Sequence, residues 1–178
     1  MRSPLRPALV LVALLAAGCV PQVAPPPVAT PGPTPTPAAP PPPRPLAQDW
    51  RDWPRTPGDW RYDAATVVAR YDAPDGRPLL TLACDRAARR ITVTRPSVAA
   101  AAALTVRTTS TVRALAVQAR APADATSPIM LDATLAAGDR LLDAMAFSRG
   151  TFTVEQAGQS PLVLPAWAEV GRVVQDCR

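Results

Sequence analysis

The chain of 178 residues has no histidine, no lysine and no asparagine, and its nineteen basic residues are all arginine. Without histidine there is no Ser-His or Cys-His pair for nucleophilic catalysis, and a metal site lacks a common nitrogen ligand. The Gly-x-Ser-x-Gly elbow is missing, and no glycine-rich loop precedes a helix pattern to cradle phosphate. Large aromatics are scarce, at four Trp, two Tyr and two Phe. Arg2, Arg6 and Arg44 precede residue 46, which leaves sixteen Arg against fourteen Asp plus Glu in the remainder. That part is close to charge balance, so the pI of about 10.0 overstates any attraction for an acidic partner. An all-arginine basic set is the mark of a GC-rich coding sequence. Pairs such as Arg89-Arg90 have no stripe of basic neighbours, which argues against nucleic acid. No cofactor and no metal is expected.

What is present begins with Arg2 and Arg6, followed by an apolar run from Ala8 to Ala17. The run is too short to span a bilayer, and with its charged start it has the parts of a secretory signal. It ends in Leu14-Leu15-Ala16-Ala17-Gly18-Cys19, which resembles a lipobox of the signal peptidase II class. That resemblance implies cleavage before Cys19, acylation of Cys19 and anchorage by lipid at a membrane. Ala16 departs from the usual Leu three residues before the cysteine. In many such lipoproteins an Asp just after the cysteine retains the protein at the inner membrane. Val20 stands there instead, so the expected address is the outer membrane, facing the periplasm. Pro21 to Pro45 holds thirteen prolines and one charge, Arg44. Proline fixes φ and donates no amide hydrogen, so this stretch is expected to be a disordered, semi-rigid tether and not part of a core.

Three segments follow: a signal peptide over 1–18, the lipidated cysteine and tether over 19–45, and a globular domain over 46–178 long enough to bury its own core. Thr66 to Tyr71 and Leu79 to Cys84 are branched, apolar runs around an Asp75-Gly76 turn signal, which predicts a hairpin. Ile91 with Val93 and Leu104 with Val106 alternate with polar neighbours, the period of half-buried strands, and Pro96 is expected to stop the first. Val112 to Ala119 reads as one strand and Ala121 to Pro128 as a loop. Ala99 to Ala103 is either a helical turn or a bridge between strands. Asp139 caps a helix with Leu141, Leu142 and Met145 on its apolar face. Phe152 and Val154 point inward from a strand that turns at Ala157 to Ser160 into Leu162 to Leu164. Pro165 suits the first turn of a last helix presenting Trp167, Val170, Val174 and Cys177. The fold class is α+β: mainly antiparallel sheet, as a sandwich or open barrel, with two short C-terminal helices.

With Cys19 carrying lipid, Cys84 and Cys177 remain as an even pair in an oxidising compartment. Each shares a face with core residues, so a disulfide closing a loop of about 90 residues is expected. Trp50, Trp53 and Trp60 occur within a dozen residues, each preceded by Asp or within an Asp-Trp pair. They are either an N-terminal strap filling gaps on the domain or an aromatic binding surface for a cell-wall glycan. Asp49 with Asp52 and Asp139 with Asp143 are the carboxylate pairs to consider for glycan chemistry.

The segments Trp53 to Trp60, Leu142 to Gly150 and Leu164 to Val170, with the closing Asp176-Cys177-Arg178, resemble a family of uncharacterised proteobacterial envelope lipoproteins across most of residues 50 to 178. The resemblance carries no activity. Periplasmic lysozyme inhibitors are similar in form, although their Ser-Gly-x-x-Tyr loop is missing here. The expected function is a non-enzymatic envelope module that binds a protein or cell-wall glycan. Its alternative is an inhibitor of a lytic enzyme or protease, with a glycan-processing enzyme third. An exposed tryptophan platform would favour glycan binding, and a cleft with facing aspartates an enzyme.

Overall fold

A computed structural model describes residues 48–122 and 124–178. The expected signal peptide, Cys19, Val20 and the proline-rich tether lie outside the described residues. Ten strands are present among those described: β1 (Asp59–Asp63), β2 (Val68–Asp72), β3 (Pro78–Asp85), β4 (Arg90–Ser97), β5 (Ala103–Arg107), β6 (Val112–Ala116), β7 (Gln118–Arg120), β8 (Ile129–Ala136), β9 (Thr151–Glu155) and β10 (Leu162–Pro165). Two helices, α1 (Arg140–Ala146) and α2 (Ala168–Asp176), lie near the C-terminus. The strands form a six-stranded sheet ordered β1-β2-β3-β4-β8-β7 and a four-stranded sheet ordered β10-β9-β5-β6. Every pairing is antiparallel. Both sheets are open, which agrees with the expected α+β class of mainly antiparallel sheet with two short C-terminal helices.

Period-two alternation explains which residues meet. On β4, Ile91, Val93, Arg95 and Ser97 share the buried face, and on β8 Leu131, Ala133 and Leu135 do. From the smaller sheet Leu104, Val106, Phe152, Val154 and Leu164 join the same apolar core. Trp60, Ala69, Tyr71, Leu80 and Leu82 of β1, β2 and β3 belong to it too, and the helices add Leu141, Leu142, Met145, Val170, Val173 and Val174, since α2 lies against β1, β2 and β3, and α1 lies against α2. The expected hairpin is formed by β2 and β3, with Gly76 at φ +82° in its turn and the Asp75 carboxylate accepting from Arg77 N at 3.0 Å. Cys84 and Cys177 are joined, Cα to Cα 5.7 Å, and this bridge fastens the end of α2 to β3.

Several local expectations change. Val112 to Ala119 is not one strand: β6 belongs to the smaller sheet and β7 to the larger, and the break falls at Val117, whose N–H donates to Ala102 O at 3.1 Å. Ala99 to Ala102 holds no helix and carries the chain from β4 to β5, hence from one sheet to the other. Pro96 does not stop β4. The register with β3 ends at Thr94 while that with β8 runs on to Ser97, so Pro96 sits where the strand has a neighbour on one side only. Pro165 closes β10, paired with Thr151, and does not open α2. Trp167 precedes α2 and is 40% exposed; Val173 takes its place on the buried face beside Val170, Val174 and Cys177. Strands β1 and β8 were not anticipated, although Trp60 with Tyr62 and Ile129, Leu131, Ala133 and Leu135 do alternate.

Candidate functional site

The tryptophan cluster divides. Trp50 to Asp52 form a single 3-10 turn capped by Asp49, whose carboxylate accepts from Arg51 N at 2.9 Å. Trp50 and Trp53 are half-buried, and the Arg51 guanidinium lies 5.2 Å from the Trp50 ring. Trp60 is 6% exposed. Its indole N–H donates to Pro165 O at 2.8 Å, and its ring meets Tyr71 edge-on at 5.2 Å and Phe152 at 6.4 Å. A surface built on all three rings therefore does not form, because β1 turns Trp60 into the core. The segment is sewn down by Thr56, whose N–H donates to Val163 O at 2.9 Å while its hydroxyl accepts from Val163 N at 2.9 Å. The Tyr71 hydroxyl completes the seam on Thr56 O and Gly58 O.

Of the candidate carboxylates, Asp49, Asp139 and Asp143 face arginines or amides, not one another, while Asp52 is exposed. Asp139 caps α1 by accepting from Leu141 N at 2.8 Å and pairs with Arg113 at 2.9 Å. Burial pushes its carboxyl up, but the bonds from Arg113 and Leu141 outweigh this and hold it below the usual range. Asp143 pairs with Arg178 at 2.7 Å, and Asp49 with Arg51.

Where α1 ends, a groove opens that no sequence pattern marks. Its main part, about 760 Å³, is lined by Arg51, Thr109, Ser110, Phe147 and Arg149 among others. An adjoining part of about 260 Å³ shares Ser110 and Ala144 with it and adds Thr111, Arg113 and Arg140. Its shape comes from local bonds. The Ser148 hydroxyl accepts from Thr109 N at 3.1 Å and donates to Thr151 O at 2.6 Å, while Arg149 N donates to Thr109 Oγ1 at 3.2 Å. These bonds hold the β5–β6 turn against the chain leaving α1, and Gly150 at φ +82° redirects that chain into β9.

The groove walls hold four arginines and no carboxylate. Arg51 and Arg113 have acidic partners just outside; Arg140 and Arg149 have no ion pair among the described residues. The buried Arg113 Nε meets no acceptor. Phe147, 75% exposed, stands at the edge. Guanidinium forks, hydroxyls and one bare ring suit an oxyanion-bearing surface with some apolar contact. The arginines come from four separate segments, so a search for basic runs passes over them, even though Arg51 lies inside the tryptophan cluster, Arg140 follows the helix cap Asp139, and Arg149 lies in the segment Leu142 to Gly150. No protein family matches the chain, nor does any curated protein or any solved structure.

Proposed function

We propose that this chain is a lipid-anchored envelope lipoprotein whose domain is a non-enzymatic binding module for an acidic partner, either an envelope protein or a cell-wall glycan bearing carboxylates. The observation that carries the binding half is the groove of Arg51, Arg113, Arg140 and Arg149 beside the exposed Phe147. Anchorage is supported by the lipobox ending at Cys19. An extracytoplasmic place is supported by the Cys84–Cys177 bridge, since disulfides persist in oxidising compartments. Val20 and the proline-rich stretch favour the outer membrane with the domain reaching toward the cell wall. Contacts made by exposed arginines are screened by salt. Photocrosslinking from position Phe147 in intact envelopes, with co-sedimentation on isolated cell-wall sacculi, tests the reading. The expected result is an adduct or sedimenting fraction that falls with salt and is lost in the Arg140→Glu/Arg149→Glu variant. Unchanged capture by that variant would refute the groove as the binding surface.

A further inference from the structure

The register that places Ile91 and Val93 in the core also carries Arg95 and Ser97 inward, toward the end of the sheets opposite the arginine groove. Arg95 is 4% exposed. Its Nη1 donates to Val154 O at 2.7 Å and its Nη2 to Ser160 O at 2.8 Å. These bonds tie the larger sheet to β9 and the turn that follows it. No carboxylate lies within ion-pair reach of Arg95 among the described residues. Carbonyl oxygens satisfy N–H groups but bring no net charge, so a cation remains with water largely removed. Burial pulls its pKa down to about 10, still protonated at neutral pH. A buried charge without a counter-charge is costly, and an inter-sheet tie alone does not call for one. Beside it, the Ser97 hydroxyl accepts from Gln156 Nε2 at 2.8 Å and Gln159 Nε2 at 2.7 Å, while the buried Gln156 Oε1 meets no donor.

Two depressions of about 650 and about 320 Å³ open over this cluster and share Arg77, Pro78, Pro96, Val98 and Gln159. Arg95 is in the wall of the smaller, and Pro128 and Met130 give the larger an apolar side. Val98 stands bare at 89% exposure. Neither depression has an acid in its wall. Asp75 lies outside, 3.7 Å from Arg77 with both side chains 65% exposed, and Asp124 is occupied by Thr126 and Ser127. Apolar walls with a few converging polar groups, at a volume within the common range of roughly 300–1,000 Å³, are the make-up of a small-molecule site.

We propose that this cleft binds a small amphipathic anion, an oxyanion headgroup set on Arg95 and Arg77 with a short apolar body against Val98, Pro128 and Met130. The site lies past the opposite end of β9 from the arginine groove and stands independently of it. Exposed Arg77 steers the anion, and buried Arg95 supplies the charge that solvent screens least.

The test is an NMR titration of the isotope-labelled full chain with hexanoate, hexanamide and hexyl phosphate. Hexanoate should shift the amides of Val98, Gln159 and Ser160, and isosteric hexanamide should bind at least about tenfold more weakly, the ratio expected for loss of a charged contact. Val98→Asp sets a carboxylate at the mouth without touching the core, and should weaken hexanoate at least about fivefold with an unchanged melting temperature. Tighter binding of hexyl phosphate than of hexanoate assigns the headgroup to phosphate, and the reverse order to carboxylate. Equal binding of acid and amide, no shift by about 20 mM ligand, or indifference to Val98→Asp would overturn the proposal. These outcomes are read at residues remote from Arg140 and Arg149, so they are separable from the fate of the groove.

Discussion

Gly58 sits where the N-terminal strap crosses β2, at φ +148°, and a Cβ there would meet Asp72 O at 2.3 Å. The obstacle is backbone, which cannot swing aside as a flexible side chain does. Gly58→Ala is therefore expected to destabilise the domain by more than about 2 kcal/mol, measured by urea unfolding; a loss under about 0.5 kcal/mol would show that the strap shifts freely. Asp124 makes a different kind of joint, accepting from Thr126 N, Thr126 Oγ1 and Ser127 N at 2.7 to 2.9 Å. The hydroxyl and amide bonds from Thr126, then those from Ser127, lower its pKa from 3.8 to about 2. A depressed carboxyl favours the folded turn above its unfolded pKa, and the contribution disappears as pH falls through the folded one. The turn should accordingly hold at pH 4 and loosen on the way down to about 2. Carboxyl-carbon NMR of Asp124 with a midpoint near 3.8 would contradict the bonding seen here. At this scale the cap on α1 was legible, because Asp139 reaches only as far as Leu141. The place of Trp60 was not, since its partner Pro165 is 105 residues away.

Among the elements, α2 depends most on a covalent tie. It is short and follows an uncapped start, as Trp167 makes no side-chain capping bond. Its hold on the sheet comes from Val170, Val173 and Val174, from Tyr62 donating to Asp176, and from the bridge between residues 93 apart. Closing a loop of that length stabilises by about 4 to 5 kcal/mol in the chain-entropy account. Cys84→Ala with Cys177→Ala should lower unfolding free energy by roughly that amount and raise hydrogen exchange in α2 ahead of β4 and β8. Non-reducing mass spectrometry should recover one peptide pair joined through these cysteines. Free thiols at both positions, or unchanged stability in the double variant, would contradict the staple. The bridge was legible from parity and from the faces of the two residues. Strand β8 was missed because alanine and threonine give its alternation little contrast. The division of β6 from β7 at Val117 was missed for another reason: the residue pattern continues while the hydrogen-bonding partner changes.

For the molecule as a whole, the tether and anchor proposed above are expected to be separable from the domain in their consequences. An extended, solvated segment adds few contacts to a core. Removing Pro25 to Pro43 should leave the melting temperature unchanged while reducing any function that depends on reach; a fall in melting temperature would mean the segment packs on the domain. Cys19→Ala should abolish palmitate incorporation and leave uncleaved precursor, and persistent labelling would defeat the lipoprotein proposal. Fractionation with inner-membrane markers would defeat the address inferred from Val20.

The cysteine count alone pairs Cys84 with Cys177, and near neighbours along the chain carry the hairpin of β2 and β3, the helix cap at Asp139 and the inward faces of β4 and β9. These latter features depend on backbone geometry or alternation within a few residues. Alternation says which face of a strand is buried but not which strand lies beside it. The order β1-β2-β3-β4-β8-β7, the passage from β4 to β5 across the sheets, and the open edges therefore arise only as the common core closes. The same holds for the sites. Arg51, Arg113, Arg140 and Arg149 look like background in a chain whose basic residues are all arginine, and Arg95 reads as one more surface charge. Their grouping around one groove and beneath one cleft follows from long-range packing, where burial of apolar neighbours decides which arginines keep water and which lose it.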